Sequence, residues 1–124
     1  MRERLYIGIA GACGAMVRLL VGQLFIVSGT FPFATFAVNI VGTLLLCFLV
    51  EWARLGGKLQ PFVVNVVTVG FLGAFTTFSA VSIETIQLLD EGLIGLAGSY
   101  VFGSLLGGLI MAAFGFLLAR KVSC

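Results

Sequence analysis

Four stretches of the chain are too long and too apolar to remain in water: residues 5–27, 31–50, 62–89 and 93–119. A helix rises about 1.5 Å per residue, so about 20 apolar residues cross a hydrocarbon core of about 30 Å. Each stretch reaches that length, and only short connections separate them. Lipid offers backbone amides no partners, so such runs take helical form, with every bond made inside the segment. The expected architecture is an all-α membrane protein of four transmembrane helices, with residues 1–124 forming a single transmembrane domain.

Composition excludes the soluble alternative. Hydrophobic residues make up 60% of the chain and charged ones 10%, where a soluble domain carries about 25% charged residues. The 17 glycines and 12 phenylalanines suit helices packed closely in lipid. The opening Met-Arg-Glu-Arg before an apolar run has the charge of a signal peptide. The run is too long for one, however, and lacks a small-x-small cleavage site.

Several function classes fall away at once. The chain has no histidine, which removes the commonest general base and the commonest metal ligand, so an enzyme is not expected. The three cysteines, Cys13, Cys47 and Cys124, are scattered, odd in number and without metal-ligand spacing. No basic cluster is dense enough for a nucleic-acid partner. Lysine and arginine set the orientation instead. Arg2 and Arg4, Arg54 and Lys58, and Arg120 and Lys121 fall on one side of four spans, against none in the other two loops. Both chain ends are therefore expected in the cytoplasm. The 51–61 segment, dense in charge and ending at Pro61, reads as a solvent loop that launches the third span.

The informative residues are polar ones at membrane depth. Arg18 lies near the middle of the first span, where a cation is costly unless it is paired or hydrated. It reads either as a snorkelling side chain or as a positive charge facing a wet vestibule. In the second span Thr35, Asn39 and Thr43 recur every four residues and make one polar stripe. In the fourth, Tyr100 and Ser104 share a face that continues to Gly108 and Ala112, beside the Gly103/Gly107 pair. The third span reads Gly70-Phe71-Leu72-Gly73-Ala74-Phe75-Thr76-Thr77-Phe78-Ser79 at its centre. Glycine and β-branched threonine weaken a helix, so the spacing predicts a third helix broken near its middle, within 73–79. Broken membrane helices free carbonyls and amides, from which ion sites are built. Glu84 follows near the end of this span.

These groups favour an anion. Hydroxyls and an amide donate hydrogen bonds, arginine supplies positive potential, and aromatic rings present electropositive edges. No carboxylate occurs within the first, second or fourth apolar stretch, which disfavours a proton-coupled or cation pathway. On the residues alone the inference stops at a small anion. Two rival classes differ in kind. A small multidrug-type exporter depends on a carboxylate in its first span, and a structural membrane subunit has no use for a broken helix.

The run 70–79 followed by Glu84 resembles the signature of the CrcB/Fluc fluoride channels. Gly14-Ala15-Met16-Val17-Arg18, Thr35-Phe36-Ala37-Val38-Asn39 and Tyr100-x-x-x-Ser104 agree with it. The resemblance covers essentially the whole chain. It implies a fluoride-selective subunit of a bacterial inner membrane, exporting cytoplasmic fluoride by passive conduction. It also implies an antiparallel, dual-topology dimer with two pores and a central structural sodium ion held by backbone carbonyls of Gly73 and Thr76. By the same resemblance the fluoride pore takes Asn39, Phe78, Tyr100, Ser104, Thr35, Ser79 and the position of Val81, with Arg18 and Glu84 as vestibule charges.

Two departures stand out. The family pattern has a second phenylalanine where this chain has Val81, and its polar track continues with hydroxyls where Gly108 and Ala112 stand. The one-sided charge also disfavours insertion in both orientations. Two partners therefore stay open: the chain itself as a homodimer, or a related subunit as a heterodimer. Four packed helices fill their own centre with side chains, so either way the chain is expected to be half of an assembly.

Overall fold

The computed structural model describes residues 1–25 and 29–123. Among them are four helical spans long and apolar enough to cross a membrane: Arg2–Leu24, Phe33–Arg54, Pro61–Asp90 and Ile94–Ser123. The protein is all-helical and multi-pass. The first span, α1, is Arg2–Leu24, the second, α2, is Phe33–Arg54, and the fourth, α6, is Ile94–Ser123. The third divides into α3 (Pro61–Asn65), a π-helical stretch (Val66–Leu72), α4 (Gly73–Phe75) and α5 (Phe78–Asp90). The expected first-span end at Val27 and the turn at Ser28 lie outside the described residues, as does Cys124.

Local chemistry sets the ends. Pro61 occupies the first turn of α3, where its missing N–H costs nothing. Both α2 and α5 close with a Schellman motif on a left-handed glycine. Gly56 (φ +92) donates to Ala53 O and Gly57 to Trp52 O; Gly92 (φ +76) donates to Leu89 O and Leu93 to Leu88 O. The first motif corrects the expected 51–61 loop. Glycine, not Glu51, ends the helix, so α2 runs one turn further, to Arg54. Likewise α1 begins at Arg2 and α6 runs to Ser123, both beyond their apolar cores.

Packing follows from missing side chains. The α1 helix lies against the π-helical stretch, and α2 lies along α6. A Cβ on Gly14 would come within 2.2 Å of the Phe71 carbonyl oxygen, and one on Gly115 within 2.7 Å of Leu44 O. Only glycine permits these approaches, the usual means by which membrane helices gain contact without a hydrophobic driving force. One small core joins Val38, Leu72 and Phe75; another joins Val81, Leu88, Ala97 and Tyr100. Large apolar side chains elsewhere stand exposed, Leu109 at 69% and Val69 at 63% among them, as expected for surfaces facing lipid or another subunit.

Candidate functional site

The site is organised by two extended residues. Thr76 (φ −74, ψ 152) and Thr77 (φ −151, ψ 126) stand between α4 and α5. Extended backbone at this depth needs substitute partners, and Asn39 of α2 supplies them. Its Nδ2 donates to Thr77 O at 2.8 Å, while Thr77 N–H donates to its Oδ1 at 2.7 Å. This side-chain amide takes the place of a peptide neighbour. It also captures the N–H that would otherwise continue the ladder onto Gly73 O. The buried Thr77 then starts α5, its Oγ1 accepting from Ala80 N–H, a standard N-cap.

An open cavity of about 360 Å³ lies at this junction, lined by Asn39, Gly73, Thr76, Thr77 and Phe78. An amide nitrogen carries two N–H groups, so Asn39 keeps one beyond its bond to Thr77. Phe78 is 76% exposed. Gly42 lets α2 approach: a Cβ there would sit 2.3 Å from Thr76 Cγ2. Four of the expected site residues (Asn39, Gly73, Thr76 and Phe78) thus share one cavity.

A second group forms around Glu84 of α5. Thr35 Oγ1 donates to Glu84 Oε1 and Tyr100 OH donates to Oε2, both at 2.6 Å. One carboxylate therefore ties α5 to α2 and α6 through neutral donors. Tyr100 is fully buried, with Phe31 packed edge-on at 5.4 Å. Glu84 also borders a second cavity, of about 580 Å³, whose lining includes Thr30, Gln87 and Glu91.

The remaining expected residues are placed separately. Ser104 Oγ and Arg18 Nε are buried without a hydrogen-bond partner among the described residues. Ser79 is exposed, its hydroxyl 3.2 Å from Thr77 Oγ1. Val81 does not line the cavity. It is 6% exposed, in the core with Leu88, Ala97 and Tyr100. Its contacts are with Ala97 and Tyr100 of α6 instead.

One cluster escaped the sequence reading. Glu51 is buried, its side chain 5% exposed, between two arginines. Arg54 donates from Nε and Nη2 to Oε2 and Oε1, and Arg120 donates from Nε to Oε1, all at 2.9 Å. The i,i+3 spacing of Glu51 and Arg54 was the available signal. The partner 69 positions away was not readable before α6 was set beside α2.

Residues 5–116 match the family described as CrcB-like protein, Camphor Resistance (CrcB). The chain is 45% identical over 118 residues to the "Fluoride-specific ion channel FluC 2" of Listeria monocytogenes serotype 4b, covering 95% of this chain and 91% of that one. It is 44% identical over 121 residues to the "Fluoride-specific ion channel FluC" of Chlorobaculum tepidum, covering 97% and 96%. It is 42% identical over 109 residues to "Fluoride-specific ion channel FluC 1" of Desulfitobacterium hafniense, covering 88% and 96%. With glycine-mediated helix contacts, an asparagine bridging extended backbone and a family match along nearly its whole length, this chain is a member of the CrcB family.

Proposed function

We propose that this chain is a subunit of a fluoride-selective channel, not an enzyme, and lets cytoplasmic fluoride leave passively across a bacterial inner membrane. The observation that carries the proposal is the bridge from Asn39 to extended backbone, beside an open cavity and the exposed Phe78 ring. A small anion gains most from short, strong donor bonds. Here the second Asn39 N–H and the electropositive edge of Phe78 supply donors without a competing carboxylate. The Ser104 hydroxyl, buried and without a partner among the described residues, extends the donor path along α6. Tyr100 and Thr35, oriented by Glu84, give it a polar wall, and Arg18 provides positive potential nearer the entrance. Relatives named as fluoride-specific channels support the choice of ion. Glu3 lies in the first turn of α1, where it accepts from Asn65 Nδ2 at 2.9 Å, so it supplies no carboxylate at the depth a proton-coupled exporter needs.

The working unit of this proposal is an antiparallel dimer with two pores, in which the third span is interrupted at Thr76–Thr77. Buried polar atoms without partners among the described residues, Arg18 Nε and Ser104 Oγ, suit a surface completed by a second subunit or by the passing ion. A structural sodium fits the same junction. Sodium is a hard cation that takes oxygen ligands, as calcium and magnesium do, and the helix ending at Phe75 leaves carbonyls of Gly73 and Thr76 without a helical ladder beyond. A twofold axis would double that set.

Fluoride efflux from liposomes tests the proposal. Asn39→Asp replaces the donor with a negative group and is expected to cut flux about 100-fold, since roughly 1.4 kcal/mol is tenfold in rate. Phe78→Ile is expected to cost a smaller factor. Efflux by the chain alone assigns the homodimer; efflux only with a related subunit added assigns the heterodimer. No fluoride efflux in either arrangement overturns the proposal.

A further inference from the structure

At the end of the molecule that carries its basic residues, a cavity of about 220 Å³ is lined by Trp52, Leu55, Gly56, Gly57, Lys58 and Ser123. The Schellman turn of α2 builds one wall. A Cβ on Gly57 would meet the indole at 2.7 Å, so glycine is what lets Trp52 lie against the turn. The end of α6 builds the other wall through Ser123. One turn deeper, on the same faces of α2 and α6, Glu51 meets Arg120. That contact uses only Nε of Arg120, whose side chain is 60% exposed. Its two Nη groups have no protein acceptor among the described residues. Around the cavity, the ends of α2 and α6 and the loop after α2 carry Arg54, Lys58, Arg120 and Lys121 against Glu51, a surplus of three positive side chains.

We propose that this cavity is a binding site for the headgroup of an anionic phospholipid, with Lys58 on the phosphate, the free Nη groups of Arg120 adding positive potential one turn away, and Trp52 at the interface beside it. Basic pockets between spans recognise phosphate headgroups in this way, and tryptophan belongs at the headgroup level. The mouth lies at the ends of two membrane spans, where a lipid arrives by lateral diffusion. The partner is a lipid and not a soluble ion because only a lipid brings acyl chains to Leu55, the apolar side chain of the lining, which is exposed. The site is independent of the conduction path.

Trp52 is the sole tryptophan and therefore reports on its own site. The full-length channel is reconstituted in vesicles containing either brominated phosphatidylglycerol or brominated phosphatidylcholine, and quenching of Trp52 is titrated. The anionic lipid is expected to quench at a mole fraction about fivefold lower, the effect of one basic contact. Lys58→Gln should bring the ratio close to one, while Lys58→Arg should keep it. Both change an exposed side chain, and fluoride flux checks that each variant is folded. Equal quenching by the two lipids overturns the proposal. So does a preference that survives Lys58→Gln, or one abolished by millimolar inorganic phosphate, which would mark a site for the free ion.

Discussion

Two glutamates bind the helices of this protein together, and they do so with opposite chemistry. Glu51, on α2, is held by the guanidinium groups of Arg54 and Arg120. Glu84, on α5, is held by the hydroxyls of Thr35 and Tyr100. Each reaches both α2 and α6, so their mechanical roles are alike. Guanidinium partners neutralise a carboxylate and fix it, whereas hydroxyl partners orient it and leave its charge uncompensated. The neutralised glutamate lies at the basic end of the spans, far from the extended residues. The hydroxyl-bound one lies two turns past Phe78, beside a wide cavity. Glu51 fastens the fold, and in the channel we propose Glu84 shapes the polar wall of the conduction path.

The contrast breaks most visibly if the hydroxyls are removed. Tyr100→Phe with Thr35→Val strips both donors from Glu84, and fluoride flux should fall by about tenfold or more, given about 1.5–3 kcal/mol for each hydrogen bond to a charged group. Flux that stays at the wild-type level would place Glu84 outside the path. The Arg54→Gln, Arg120→Gln double variant should act in the reverse sense. It leaves the buried Glu51 carboxylate without partners, lowering thermal stability in detergent with little change in flux per folded channel. Adding Glu51→Gln should recover much of that stability, because a buried charge without partners is worse than none. A triple variant no better than the double would show that the arginines act through packing. The smallest effect expected is that of salt. At about 1 M ionic strength the Debye length is near 3 Å, so the exposed arginines should weaken their hold on Glu51 while the hydroxyl bonds to Glu84 stay unchanged. Melting curves of wild type and the triple variant measure the difference.

The two glutamates also differ in how readable they were. The four spans follow from hydropathy alone, because lipid leaves an apolar run of 20 residues no other form. Glu84 was legible as a carboxylate near the end of the third span, and Thr35 and Tyr100 as hydroxyls on polar stripes. What the sequence could not give was their convergence, which depends on how three helices are rotated. Glu51 was hidden by its surroundings. Flanked by Arg54, Lys58 and two glycines it looks like loop, and only the capping geometry at Gly56 places it inside α2. Val81 was legible only as a departure from the family pattern. Its burial is decided by contact with α6, and spacing from Phe78 does not encode that contact. The π-helical stretch at Val66–Leu72 likewise leaves no periodic signal, since one shifted hydrogen-bond register barely alters the hydrophobic pattern.

The central claim rests on Asn39 and its hold on Thr77, and parallel efflux measurements test it most directly. Purified channel, with its related subunit if the chain alone is silent, is reconstituted in liposomes loaded with fluoride or with chloride. The account predicts rapid fluoride release, no chloride release, and a loss of about 100-fold in Asn39→Asp while the protein still elutes as the assembled species. Fluoride release by Asn39→Asp at the wild-type rate, or equal release of the two ions by the wild type, would contradict it.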